Sequence, residues 1–230
     1  MRGTHRLAAV FGLLGALLLV AYFVAPFLLA WPLAGGTPAQ LTAYALSHET
    51  AFYAGAWLQT TGTLLCVVFF VALVRRACLE SSLAGMLVLI GSACLLATVV
   101  IESALMVAVP IAASNGDAAT VSTTFTLVNG VFARVFPLAP SPATYIALGL
   151  VLLSSDVIHR WFGYAALGIG LAFEVAGAAA VYIGAFATVL AVLGAGQAAW
   201  VISAAVALWR GANVAIPVST RTLLSKVGES

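Results

Sequence analysis

Residues 51–76 read AFYAGAWLQTTGTLLCVVFFVALVRR. From Ala51 to Val74 no charged side chain occurs, and Arg75 and Arg76 then close the run. A helix of about 20 apolar residues crosses a bilayer core. A soluble helix would show a polar face at this length, and none is present here. Runs of the same kind lie at 7–31, 82–109, 131–153, 161–183 and 186–209. The chain therefore reads as an all-α, polytopic transmembrane bundle of six spans.

Composition agrees. Of 230 residues, 63% are hydrophobic and 7% charged. A soluble domain is about 45–50% apolar and about 25% charged. So few charges exclude a cytosolic globular enzyme, a disordered chain and a nucleic-acid binder. The net charge of +2 adds nothing to this.

Basic residues set the expected orientation, because Lys and Arg are retained on the cytoplasmic side. With the N-terminus inside, Arg2, Arg6, Arg75, Arg76, Arg160, Arg210, Arg221 and Lys226 all fall inside, and only Arg134 does not. Both termini are then cytoplasmic. Residues 1–210 form one six-helix domain and 211–230 a polar cytoplasmic tail. Arg2 and Arg6 ahead of the first run resemble a signal-peptide flank, but the apolar stretch exceeds the 7–15 residues of such a peptide. It reads as a retained span. Trp31, Trp57, Trp161 and Trp209 lie near span ends, where interfacial anchors belong. The expected location is the plasma (inner) membrane, as a multi-pass protein.

Two segments outside the spans carry helix signals. Thr37-Pro38-Ala39-Gln40 places a capping residue before Pro at the first helical position. This predicts a short outer helix over 38–47. Asn115-Gly116-Asp117 is a turn, and 118–130 after it reads as a surface extension of the fourth span or as a re-entrant segment. Phe136-Pro137 and Pro140-Ser141-Pro142 should kink the chain just beyond.

The bilayer excludes most polar side chains, so those within spans are informative. Glu102, Arg134 and Glu174 stand out, with Gln59 and Gln197. At about 1.5 Å per residue from the inner span ends, Glu174 lies roughly 20 Å up, Gln59 about 22 Å and Gln197 about 18 Å. Glu102 and Arg134 lie at about 27–30 Å. Different helices thus contribute polar groups at a similar level. Gly163, Gly170, Gly177 and Gly184 form a small-residue stripe on the fifth span, and Glu174 falls on it. Gly55, Gln59, Gly62 and Cys66 share one face, as do Gly91, Cys94, Thr98 and Glu102. The expectation is a Glu102–Arg134–Glu174 cluster in an outward-facing pocket. Gln59 and Gln197 would act as ligand hydrogen bonders, and Asn129 is a further candidate. Asn129-Gly130 reads equally as a helix break or the end of a turn.

The pattern permits three functions. The first is binding or transport of a small molecule, cation or proton by that pocket. The second is an accessory subunit whose polar cluster serves packing alone and whose glycine stripes dock a larger complex. The third is a membrane enzyme acting on a lipid, with Glu102 as acid or base, although no nucleophile is visible. Partners are the lipid bilayer, a small-molecule or cation ligand, and a homodimer or larger membrane assembly; nucleic acid is not among them. No cofactor is expected. His5, His48 and His159 avoid the span centres, against a buried bis-His haem. Lys226 is the only lysine, against a Schiff base within the bundle. His48 and Glu49 read as a capping turn, since a metal site needs more ligands. Cys66, Cys78 and Cys94 lack C-x-x-C spacing and read as reduced thiols.

Phe52-Tyr53-Ala54-Gly55-Ala56-Trp57-Leu58-Gln59, Val135-Phe136-Pro137-Leu138-Ala139-Pro140 and Trp161-Phe162-Gly163-Tyr164-Ala165-Ala166-Leu167-Gly168, the last after a basic inner loop, stand in one chain. In this the chain resembles the six-pass membrane proteins of high-GC bacteria grouped as a domain-of-unknown-function family. The likeness spans most of the chain. It implies the six-pass fold and no particular activity.

Overall fold

The computed structural model describes residues 2–29, 36–137, 140–182 and 187–211. Among them the regular elements are helical: α1 (Arg2–Leu28), α2 (Pro38–Ser47), α3 (Glu49–Arg76), α4 (Leu83–Ser114), α5 (Ala118–Gly130), a π-helical turn (Val131–Val135), α6 (Pro140–Leu153), α7 (Trp161–Tyr182) and α8 (Ala187–Gly211). Six stretches are long and apolar enough to cross a membrane. The protein is an integral, multi-pass membrane protein. Trp31 and residues 212–230 lie outside the described residues, as do Leu138 and Ala139.

The spans close into a ring. α1 packs along α3 and α8, α4 along α3 and α6, and α6 along α7, while α7 meets α8 more lightly. Glycine permits the closest approaches. A Cβ on Gly15 would lie 2.7 Å from the Gly62 carbonyl oxygen across the α1–α3 contact. One on Gly149 would lie 2.9 Å from the Gly163 carbonyl oxygen across α6–α7, and one on Gly91 would lie 2.7 Å from Thr144 Oγ1 across α4–α6. Such approaches replace the hydrophobic drive that lipid cannot supply. Six alternating crossings return the chain to its starting side, where the Arg6 guanidinium sits 5.7 Å above the Trp209 ring.

That side is filled by an apolar core from Phe69, Phe70, Leu73, Val74, Leu148, Val151, Leu152, Val201, Ala204 and Leu208. At its upper edge Phe70, Tyr145 and Trp200 meet as an aromatic triangle, with centroids 5.6–6.4 Å apart. The Trp200 indole donates to the Phe162 carbonyl at 3.0 Å.

The opposite end is built by α2, α5 and the far part of α4. The 32 residues of α4 span about 48 Å, beyond a core of about 30 Å. α5 folds back along it and α2 packs on both. Thr37 caps α2 in a reciprocal capping box with Gln40. Asp117 caps α5, accepting from the Thr120 backbone N–H at 3.0 Å. These Thr120 hydrogen bonds hold the Asp117 carboxyl below the ordinary aspartate range. His48 joins α2 to α3, stacked on Tyr44 at 4.2 Å and bonded through Nδ1 to Ser47 Oγ. It thus serves the turn.

The chain between α5 and α6 does not run as one helix. The Phe136 N–H reaches the Val131 carbonyl at 3.0 Å, a five-residue step. Pro137 follows, and α6 restarts at Pro140 as a short helix of 14 residues. Proline donates no hydrogen bond and clashes with a preceding turn, which accounts for the break.

Candidate functional site

Glu102 on α4 is 1% exposed. Its Oε2 accepts from Gln59 Nε2 of α3 at 2.8 Å, and its Oε1 accepts from the Tyr22 hydroxyl of α1 at 3.1 Å. The network continues through Ser103. The Ser103 hydroxyl faces Gln59 Oε1 at 3.3 Å and the Ala56 carbonyl at 3.4 Å, and it accepts from Thr60 at 2.8 Å. Three helices thus hold one carboxyl, and every partner is neutral.

Glu102 is enclosed on both sides. Toward α2 and α5 it is covered by Leu41, Ala45, Phe52, Met106, Val109, Val121, Phe125 and Val128. Toward the termini lies the core around Phe69 and Phe70.

Beside the network is a cavity of about 20 Å³. Gln59, Thr63, Cys66 and Gln197 supply its polar lining, and Leu19, Phe23, Leu95, Val99, Phe132 and Phe136 complete the wall. Gln197 is 4% exposed and its Oε1 meets no hydrogen-bond donor. The Tyr145 hydroxyl lies beside Gln197 and Cys66.

Of the residues singled out by sequence, Glu102 and Gln59 are bonded, and Gln197 shares a cavity with Gln59. Glu174 and Arg134 do not join them. Both are exposed, and among the described residues no ion pair links either to Glu102. Gly163 and Gly170 of α7 pack against α6, Gly170 on Ile146. The buried arc, however, centres on Ala166, Phe173 and Ala180. At 3.6 residues per turn, Glu174 lies about 90° from that centre. Arg134 lies midway between Phe132 and Phe136, which both face the cavity, so it turns the other way. Asn129 is half-buried on α5 and outside the network. Cys94 is exposed rather than inward, for the same rotational reason as Glu174.

Tyr22, Thr60, Ser103 and Tyr145 complete the polar interior and were not marked by sequence. A search for ionisable and amide residues passes over hydroxyls, which a span carries at little cost. One signal was available: Gln59-Thr60 and Glu102-Ser103 are adjacent polar pairs in otherwise apolar runs.

No protein-family model, curated protein or solved structure matches the chain.

Proposed function

We propose that this membrane protein binds a proton at Glu102, and that this site is what it uses to bind or carry a small cationic species through the bilayer. One observation carries the reading: a fully buried carboxyl on α4 has hydrogen-bond partners on two other helices, Tyr22 of α1 and Gln59 of α3, and no positive counter-charge among the described residues. An uncompensated buried charge is far costlier than a neutral acid. Neutrality then requires a proton or a bound cation.

The network favours the proton because its hydrogen bonds can be reversed. As drawn, Gln59 donates to Glu102 and accepts from Ser103. The nitrogen and oxygen of an amide exchange places by rotation. With the amide turned, Gln59 Oε1 accepts a Glu102 O–H and Gln59 Nε2 donates to Ser103. The Ser103 hydroxyl then turns to the Ala56 carbonyl, 3.4 Å away. Both protonation states are thus fully bonded. A metal cation would need several oxygens around open space, and Glu102 does not line the cavity.

The docking alternative draws on glycine stripes, and the glycines at 15, 62, 91, 149, 163 and 170 are used within the bundle. A lipid-modifying enzyme would need a cleft for its substrate, and a cavity of about 20 Å³ beside Glu102 is far too small.

Infrared spectroscopy of the protein in lipid at neutral pH tests the reading. A protonated-carboxyl band that disappears in Glu102→Gln is expected. Absence of such a band, with no thermal shift on adding Na⁺, K⁺ or Li⁺, overturns it. A band that is replaced by a monovalent-cation shift identifies the cation as a competitor for the same carboxyl. Proton uptake into proteoliposomes then separates carriage from binding.

A further inference from the structure

We propose that the cavity between Gln59 and Gln197 is an internal hydration site, and that its water is the route by which the Glu102 proton exchanges. This rests on the proton-binding reading and goes beyond it, because it names the small molecule next to the carboxyl and the residues that hold it.

The volume admits water and little else. A water needs at least about 10–15 Å³, measured as space open to a water-sized sphere. The cavity offers about 20 Å³, enough for one molecule. An organic ligand or a hydrated ion does not fit. The lining suits water as well. Gln59 and Thr63 of α3 and Gln197 of α8 reach it from the two helices that flank α1. An apolar cavity of this size would stay dry, whereas one with two to four polar partners is filled.

Gln197 supplies an independent observation. Its Oε1 is buried and accepts no hydrogen bond from the protein. Buried acceptors in native proteins are paired with protein or with ordered water. A water in the cavity donates to Gln197 Oε1 and accepts from the Thr63 hydroxyl. The Tyr145 hydroxyl lies beside Gln197 on the far side. The water therefore joins two polar clusters that the protein alone leaves separate.

Gln59 connects this water to Glu102. One part of its side chain borders the cavity, and its amide nitrogen bonds the carboxyl at 2.8 Å. When the amide turns, the group that receives the Glu102 O–H is carried by a side chain in contact with water. Apolar cores lie on either side of the carboxyl, so this lateral contact is the polar way out.

The experiment follows the Glu102 carboxyl band after transfer of the lipid-embedded protein into D₂O. Replacement of O–H by O–D lowers its frequency, and the rate of that shift is the exchange rate. Wild type is expected to exchange about tenfold faster than Gln197→Leu, the equivalent of about 1.4 kcal/mol and of one lost water bridge. Thr63→Val, nearly isosteric, removes the opposite partner and should slow exchange in the same direction. Thermal midpoints give a second readout with a definite sign. If water bonds Gln197, Gln197→Leu lowers the midpoint. If the oxygen is simply orphaned, the substitution removes a penalty and raises it. Equal exchange rates in both variants, or a raised midpoint in Gln197→Leu, overturn the hydration site while leaving the proton-binding reading intact. Loss of the band from wild type itself overturns that reading, and this inference falls with it.

Discussion

Replacing Glu102 in two ways separates a structural carboxyl from a neutral, proton-bearing one. Glu102→Leu keeps the volume and removes both acceptors. The Tyr22 hydroxyl and the Gln59 amide are then left as buried donors without partners. Each such orphan costs about 1–3 kcal/mol, so the loss is about 2–6 kcal/mol. The coupling between polar partners in membranes averages about 0.6 kcal/mol in double-mutant cycles, which places the result toward the lower half of that range. For a chain of this size 1 kcal/mol moves the midpoint by about 2–4 °C. A fall of at least about 4 °C is therefore expected in thermal unfolding of the lipid- or detergent-embedded protein. Glu102→Gln behaves differently. Its oxygen accepts from Tyr22, and its nitrogen donates to the turned Gln59 amide. The variant should stay within about 1 kcal/mol of wild type, since one neutral group replaces another of the same shape. Two results would refute the reasoning. Glu102→Leu unfolding with wild type would mean that the network contributes nothing. Glu102→Gln gaining several kcal/mol would mean that a charged carboxylate had been buried at full cost.

Two further outcomes follow from the packing. Arg134→Gln and Glu174→Gln, alone or together, should leave the Glu102 carboxyl band in place and change stability by less than about 0.5 kcal/mol, because neither side chain is held by a described partner; a displaced band would restore the three-charge cluster. Gly15→Ala should cost about 1–3 kcal/mol, because its Cβ would meet the Gly62 carbonyl at 2.7 Å and Cys66 Sγ at 2.9 Å, whereas Gly196→Ala faces open space and should be neutral or stabilising in the same unfolding measurement.

The six-span bundle was legible because hydrophobic length is a one-dimensional property. The run 51–74 announces its helix with no knowledge of its neighbours. The Thr37 cap was legible for the same reason, since it acts within one turn of itself. The irregular chain next to Pro137 was readable too, although the π-helical turn itself was not. A five-residue step has no compositional mark and here accompanies the placing of Phe132 and Phe136 toward one cavity. The site was half legible. Depth along each helix was estimated well enough to bring Glu102, Gln59 and Gln197 to one region. Rotation about each helix was not.

The rotational error has one cause. A face shared by small and polar residues reads as a common interior, whereas in a ring of helices a glycine stripe marks the contact with the next helix. On α7 the line through Gly163 and Gly170 faces α6, and Phe173 faces the interior. A residue on the stripe's far edge, as Glu174 is, then reaches the outside of the ring. On α3 the geometry differs. Gly62 touches α1, but Gln59 and Thr63 lie on the inward flank of that contact and line the cavity. The same small-residue line thus has an interior flank and a lipid flank, and sequence alone does not say which is which. Large buried side chains do. Phe173, Leu95 and Phe136 gather on the interior side. Polar residues on their flank meet one another, and those on the opposite flank do not. By that criterion Gln59 belongs to the site, Gln197 borders it, and Arg134 and Glu174 leave it.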